Sequence, residues 1–248
     1  MAHSRFIRFR FLLMLASLLV FVSVGIMLPA TSFAKSVTHL QSTVPAARSW
    51  SFVASPNQGS NYDGLSSVAA VSASDVWAVG DFVTSSGFAQ TLIEQWNGSS
   101  WSIVASPNQS SYDNELYSVT AVSATDIWAV GAFQSSEFSL DQTLIEHWDG
   151  TSWSIVASPN QGSGINGLSA VAAVSATNIW AVGYASSQTL IEHWDGTSWS
   201  IVASPNPGTS YNRLYGVAAI PTSSNLWAVG AYSSLSIDQP STLIEYYG

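Results

Sequence analysis

A fourfold internal repeat constrains this sequence more than any other feature. A Trp-Ala-Val-Gly block begins at Trp77, Trp128, Trp180 and Trp227. A Thr-Leu-Ile-Glu block begins at Thr91, Thr143, Thr189 and Thr242, and a Trp-Ser-(Ile/Phe)-Val-Ala-Ser-Pro-Asn block begins at Trp50, Trp101, Trp153 and Trp199. A period of about 50 residues is typical of proteins built from one supersecondary unit that stacks on its neighbours.

Each repeat contains the pattern of four short strands. The first is rich in Ala, Val and Ser, and the second is a continuous apolar run. The third places Leu144, Glu146 and Trp148 on one face and Ile145 on the other, and the fourth alternates its residues between two faces in the way of a half-exposed strand. Asn-Gly or Asp-Gly pairs between the third and fourth strands favour tight hairpins, as at Asp149-Gly150. We therefore predict an all-β fold, a four-bladed β-propeller of four-stranded antiparallel blades. The predicted blades span residues 65–106, 116–158, 168–204 and 214–248.

The phase of the repeats predicts how the ring closes. Residues 50–55, hereafter the Trp50 segment, carry the pattern of a fourth strand that has no blade of its own. The last repeat has the first three strands only. We expect the Trp50 segment to complete the last blade, because pairing would remove two exposed sheet edges. This arrangement predicts a monomer, and the alternative is that two chains associate into a larger ring.

These blocks resemble the kelch repeat of kelch and galactose-oxidase-type propellers over residues 50–248. The Trp-Ala-Val-Gly block is similar to that family's apolar strand ending in glycine, with one glycine in place of two, and Trp148 and Trp153 are similar to its aromatic pair. The resemblance concerns architecture and implies no catalytic residue. The copper chemistry of galactose oxidase requires a cysteine, and this chain has none. We expect no cofactor.

The N-terminus has the pattern of an export signal. Arg5, Arg8 and Arg10 precede an apolar run over residues 11–28, and a small-residue stretch ends at Ala34. We predict a signal peptide over residues 1–34, a flexible leader over 35–49 and a secreted mature domain. An uncleaved membrane anchor is the alternative, because the apolar run is long enough to span a bilayer.

The charge distribution excludes some partners. From Trp50 onward the chain has one basic residue, Arg213, and all 15 acidic residues, which gives a formal charge of 1 − 15 = −14. Binding to nucleic acid or to anionic lipid requires clustered Lys and Arg, so we expect neither nucleic acid nor a membrane surface as partner of the mature domain. An extracellular glycan or protein surface remains.

The loops that enter each first strand are the predicted binding site. With the loops over residues 82–90, 132–142, 184–188 and 232–240, they should form one rim of the ring, where propellers place recognition. Aromatic rings beside amides and carboxylates suit a neutral sugar, although the same residue types also fit ordinary turns. The candidate ligand-binding residues are Tyr62, Asp63, Tyr112, Asp113, Asn166, Tyr211 and Asn212.

Catalytic and metal sites are not predicted. No nucleophile elbow, phosphate-binding loop or zinc-protease motif occurs. The main prediction is thus a non-enzymatic glycan-binding module, with a protein-interaction scaffold as alternative. A glycoside hydrolase-like enzyme is the second alternative, because Asp113 and Glu115 are neighbouring acids. The glutamate of every third strand is expected to bond within its own blade, and His147 and His193 are expected to be surface residues rather than metal ligands.

Overall fold

A computed structural model describes residues 49–59, 61–235 and 239–248. The predicted signal peptide and nearly all of the predicted leader lie outside these residues. The compact unit that carries the repeats is Ser51–Gly248. Within the described ranges, no helix is long and apolar enough to cross a membrane.

The described residues contain fifteen strands in four antiparallel sheets, hereafter blades 1 to 4. Blade 1 comprises β1 (Tyr62–Ser72), β2 (Asp75–Val83), β3 (Ala89–Trp96) and β4 (Trp101–Ile103). Blade 2 comprises β5 (Asn114–Ser123), β6 (Asp126–Phe133), β7 (Gln142–Trp148) and β8 (Trp153–Ile155). Blade 3 comprises β9 (Asn166–Ser175), β10 (Asn178–Ala185), β11 (Gln188–Trp194) and β12 (Trp199–Ile201). Blade 4 comprises β13 (Tyr211–Ala219), β14 (Leu226–Ser233) and β15 (Ser241–Tyr247).

The prediction of an all-β fold made of antiparallel repeat units is confirmed. In every blade the strands lie side by side in chain order, as expected when each connection is a hairpin. The first strands begin two or three residues earlier than predicted, at Tyr62, Asn114, Asn166 and Tyr211. The predicted rim is thereby shortened, because part of each entry loop belongs to a strand.

Tryptophans hold one blade against the next. The indole of Trp77 in blade 1 lies 4.9 Å from that of Trp148 and 5.6 Å from that of Trp153, both in blade 2. Trp128 makes the corresponding contacts with Trp194 and Trp199 in blade 3, at 4.9 and 5.5 Å. Each first block thus buries its tryptophan against the aromatic pair of the following repeat, which explains why the two blocks recur together.

The glycine of each Trp-Ala-Val-Gly block permits a close backbone approach. A Cβ on Gly131 would overlap the carbonyl oxygen of Glu115 in the adjacent first strand. The glycines of the other three blades are placed in the same way. Next to this contact the first strand has an extra residue, a β-bulge, at Tyr117 in blade 2. One glycine per block is therefore enough to seat the bulge.

The third-strand glutamates of blades 3 and 4 accept hydrogen bonds from the preceding blade, which corrects the expectation that each glutamate bonds within its own blade. Ser158, which follows the fourth strand of blade 2, donates to Glu192 of blade 3 at 3.0 Å. Ser204 donates to Glu245 of blade 4 at 2.7 Å. The reason is that each Ser-Pro-Asn connection crosses from one blade to the next, so its serine faces the third strand of the following repeat.

The predicted closure by the Trp50 segment is wrong in this structure. The segment is not a strand, its Trp50 and Phe52 side chains are exposed, and β15 has no outer neighbour in the described residues. The first strands pack in the series β1, β5, β9 and β13, with no comparable packing of β13 on β1. Sequence repeats determine the unit, whereas the angle between units decides whether four of them complete a circle. Here the array is open between blade 4 and blade 1.

Candidate functional site

The structure places the seven predicted site residues on one edge of the blades, but only two of them in loops. Tyr62 and Asp63 belong to β1, Asn166 to β9, and Tyr211 and Asn212 to β13. Tyr112 and Asp113 remain in the loop before β5. Because the first strands begin at this edge and the second strands end there, the entry loops and the loops after the second strands share it, as predicted.

Three of the seven residues form hydrogen bonds with the backbone of the loops around them. Asn212 accepts from the backbone N–H of Gly208 at 2.8 Å and donates to the carbonyl of Ser187 at 2.8 Å. Asn166 accepts from Gln161 N–H at 2.8 Å, and Asp63 accepts from Gln58 N–H at 2.7 Å. Asn166 and Asn212 are buried, as is Asn114, which has the same position in blade 2. These side chains stabilise backbone groups that would otherwise lack partners, so their role here is structural.

The other four predicted residues divide into two groups. Tyr62 is about half exposed, at 54%, and Tyr112 packs edge-on against Phe88 with ring centroids 5.0 Å apart. Asp113 accepts a hydrogen bond from Ala89 N–H at 2.8 Å and lies close to Asp81. Tyr211 lies beside Arg213. Asp113 and Tyr211 thus belong to a group of side chains of which the sequence prediction named only a part.

Four members of that group, hereafter the inner polar cluster, lie at one register position whose residues differ from blade to blade. The paired residues there are Gly64 with Asp81, Glu115 with Ala132, Gly167 with Tyr184, and Arg213 with Ala231. The residues next to this position repeat, because they build the blade. The inner polar cluster comprises Asp81, Asp113, Glu115, Tyr117, Asp141, Tyr184, Tyr211, Arg213 and Tyr215.

One end of the cluster is acidic. Burial raises the pKa of Asp81 to about 6, and the negative charges of Glu115 and Asp113 add to the effect. The Tyr117 hydroxyl donates to the Glu115 carboxylate. Burial and this carboxylate raise the pKa of Tyr117 above its ordinary value. Several hydrogen-bond acceptors are therefore concentrated in a partly desolvated place.

The other end is aromatic and carries the single basic residue of the described chain. The guanidinium carbon of Arg213 lies 4.0 Å from the ring centroid of Tyr184 and 5.4 Å from that of Tyr211. The hydroxyls of Tyr211 and Tyr215 are hydrogen-bonded. Burial raises the pKa of Tyr184, Asp141 adds to the rise, and Arg213 opposes it. The guanidinium is thus held over a tyrosine face by a cation–π contact.

The bulge explains the position of two of the tyrosines. Tyr117 and Tyr215 are the extra residues of β5 and β13, and serines occupy the corresponding bulges of blades 1 and 3. A bulge redirects the side chain of the inserted residue relative to its strand. Large aromatic side chains therefore alternate with small polar ones along the row of inner strands.

The histidines belong to the scaffold. His147 Nε2 lies 2.9 Å from the carboxylate of Asp126, and its ring stacks on Trp128. His193 makes the same contacts with Asn178 and Trp180. In the described part of the chain no group of three or more His, Asp or Glu residues is arranged to hold a metal ion. What the inner polar cluster offers chemically is a set of acceptors, aromatic faces and one fixed cation.

Comparison of the four repeats could have revealed this cluster from the sequence. Within strands that otherwise repeat, Asp81, Glu115, Tyr184 and Arg213 each differ from the residues at the same position of the other blades. The departures looked like ordinary variation because the sequence does not show that they share one register row. Of the four, the sequence prediction named only Glu115 as a site candidate, as the acid beside Asp113.

Comparisons with known proteins do not identify a family for this chain. No protein-family model matches the chain, and no curated protein matches it. One similar solved structure is YCF48 bound to D1 peptide, at 14% identity and a TM-score of 0.44, covering 66% of this chain and 47% of that one. The chain therefore spans about half the length of that protein. The resemblance to kelch repeats stays a prediction.

Proposed function

We propose that this protein is an exported, non-catalytic binding module whose inner polar cluster binds a neutral glycan. The observation that carries the proposal is the asymmetry of the cluster within a repeated scaffold. Residues that maintain the blades recur in them, whereas Asp81, Glu115, Tyr184 and Arg213 do not. A row of non-repeated polar side chains on a rigid framework is the arrangement expected of a recognition surface.

The chemistry of the cluster suits hydroxyl-rich ligands. Glu115 and Asp113 are acceptors for sugar O–H groups, and Arg213 donates from a fixed orientation. Tyr215 is half exposed at the aromatic end, so part of its ring is accessible to a sugar face. Burial is the main cause that raises the pKa of Tyr215, to about 12, so its hydroxyl keeps its proton at neutral pH.

Two alternatives have specific support. The excess of carboxylates over the single guanidinium favours a protein partner with a basic segment, which would make the molecule an interaction scaffold. The raised pKa of Asp81, about 6, beside Glu115 supports a glycoside hydrolase, since such enzymes pair a protonated with an ionised carboxyl. Glycan binding without turnover is our main proposal.

Glycan-array binding by the mature domain, residues 35–248, tests the proposal. We expect binding that falls at least tenfold in Glu115→Gln and in Arg213→Ala. The matched control is Glu137→Gln, because Glu137 is an exposed acid in a loop outside the cluster. Absence of glycan binding together with salt-sensitive binding to an immobilised Lys-rich peptide would replace the proposal by the scaffold alternative.

Hydrolysis of glycosides distinguishes the enzyme alternative from a binding module without catalytic activity. Chromogenic glycosides hydrolysed by the parent and not by Asp81→Asn would contradict the non-catalytic part of the proposal. Export is tested separately, by N-terminal sequencing of protein from the culture medium, with Lys35 expected as the first residue.

A further inference from the structure

An apolar cavity lies beside β15, at the place where blades 1 to 3 have a fourth strand. It has a volume of about 660 Å³ and lies between blade 3 and blade 4. Its lining includes Trp180, Val182, Ile191, Leu243 and Tyr247. The walls are thus mainly apolar, and one of them is the outer part of an edge strand.

The other blades show which side chain fills this place. Trp153 pairs with Trp148 across β7 and β8 and packs on Trp77, and Trp199 does the same with Trp194 and Trp128. Tyr247 of blade 4 has the register position of Trp148 and Trp194, and its ring lies 4.4 Å from that of Trp180 in blade 3. The fourth-strand tryptophan that would lie opposite Tyr247 has no counterpart in the described residues. The cavity has the position of that tryptophan.

The backbone of β15 also offers the hydrogen-bonding positions to which a fourth-strand segment binds in the other blades. In blades 1 to 3 a valine N–H beyond the fourth strand donates to the isoleucine carbonyl of the third, as from Val104 to Ile93 at 2.8 Å. The following asparagine accepts from a threonine N–H, as Asn108 does from Thr91 at 2.9 Å. The Trp50 segment and Asn57 carry the same residues in the same order, except that Phe52 stands in place of isoleucine. By register, Ser51 would oppose Tyr246 and Val53 would bond to Ile244.

The two ends of the array present complementary faces. On blade 4, Val229 is 48% exposed, whereas the equivalent Val79 and Val130 are buried. On blade 1, Val68 is 64% exposed, whereas its equivalent Val119 is buried. At the junction of blades 1 and 2 the two positions meet, since Val79 and Val119 belong to one core. The open face of blade 4 is therefore apolar at the position that the first strand of the next blade covers elsewhere, and the open face of blade 1 presents such a first strand.

The Trp50 segment is presented on that open face of blade 1. Val53 and Ser55 line a cavity together with Leu65 and Val68. The Ser55 hydroxyl opposes the rise that burial causes in the pKa of Glu94, the same relation that Ser158 has to Glu192. The segment thus occupies the side of blade 1 where the preceding blade belongs.

We propose that a second copy of this chain covers both faces, so that the two chains form one closed ring of eight blades. The Trp50 segment of each copy becomes the fourth strand of blade 4 in the other copy, with Trp50 in the cavity beside Trp180. A second copy is favoured over self-closure because the array of one chain leaves blade 4 and blade 1 apart. Such head-to-tail contacts close into rings when the rotation permits, and eight blades lie within the range of known propellers.

Engineered disulfides test the proposed register. The chain has no cysteine, so Ser51→Cys and Tyr246→Cys introduce the only thiols. Paired residues of neighbouring antiparallel strands lie within disulfide reach. Mixing the two single variants under mild oxidation should give a covalent two-chain species on non-reducing gels. The positive control is Gln95→Cys with Ser102→Cys, the same register pair within blade 1, which should give a one-chain disulfide.

Each other outcome overturns the proposal. A one-chain disulfide in Ser51→Cys/Tyr246→Cys would show that the chain closes on itself. No disulfide, while the blade 1 control forms, would show that β15 does not take this strand, and a ladder of larger species would show an open polymer. Independently, light scattering should give twice the chain mass for the parent and for Phe138→Lys, whose exposed phenylalanine lies in a loop, but a single-chain mass for Val229→Lys. A single-chain mass for the parent at micromolar concentration contradicts the two-chain ring.

Discussion

The buried glutamates between blades make a sharp prediction about pH and stability. Glu146 and Glu192 have no exposed surface, and burial raises the pKa of each to about 8. Serines of the preceding connection, Ser106 and Ser158, oppose the rise only in part. Both carboxyls are therefore protonated in the folded protein at neutral pH, whereas the unfolded chain releases these protons near pH 4.5.

The sign follows from proton linkage. Between the unfolded and the folded pKa, the folded state holds the proton and the unfolded state does not, so the free energy of unfolding decreases as the pH rises. The contribution is complete below about pH 4.5 and is lost as the pH approaches 8. For each glutamate the loss between pH 5 and pH 8 is about 3 kcal/mol, which is a large part of the stability of an ordinary domain.

Urea unfolding of the mature domain at pH 5 and pH 8 measures this loss. Glu146→Gln imitates the protonated carboxyl, so we expect a change within about 1 kcal/mol at pH 5 and a gain of about 3 kcal/mol at pH 8. Glu137→Gln removes an exposed charge and should leave the pH dependence unchanged. A parent protein that becomes more stable from pH 5 to pH 8, or a Glu146→Gln variant with the parent's pH dependence, would refute the reasoning.

Three further predictions concern the scaffold. Gly131→Ala should destabilise the protein by about 1–3 kcal/mol or more in urea unfolding, because the new Cβ overlaps the carbonyl of Glu115. Trp153→Ala should cost about 3–5 kcal/mol, measured the same way, because Trp153 is buried against Trp77; a loss below about 1 kcal/mol would contradict the packing. Asn166→Ala should cost about 1–3 kcal/mol and speed amide exchange at Gln161, because that N–H loses its acceptor.

The repeat by itself determined the unit of the fold. Tryptophan, glycine and Asn-Gly or Asp-Gly pairs at fixed positions specify strands and hairpins through local geometry, and these predictions hold in the structure. The same comparison of repeats could have identified Glu115 and Arg213 as exceptions, because a departure from a repeated pattern is visible in one dimension. That comparison could not show that the two residues occupy the same register position in their blades.

Tertiary structure alone decided how the units assemble. The serine bonds of Glu192 and Glu245 come from the preceding repeat because connections cross between blades, which no spacing along one repeat reveals. Closure depends on the angle between packed sheets, and that angle is set by side-chain volumes at the interface rather than by the strand pattern. The sequence therefore repeats the fourth-strand pattern in the Trp50 segment, whereas the packing of the described blades leaves that segment unpaired with β15.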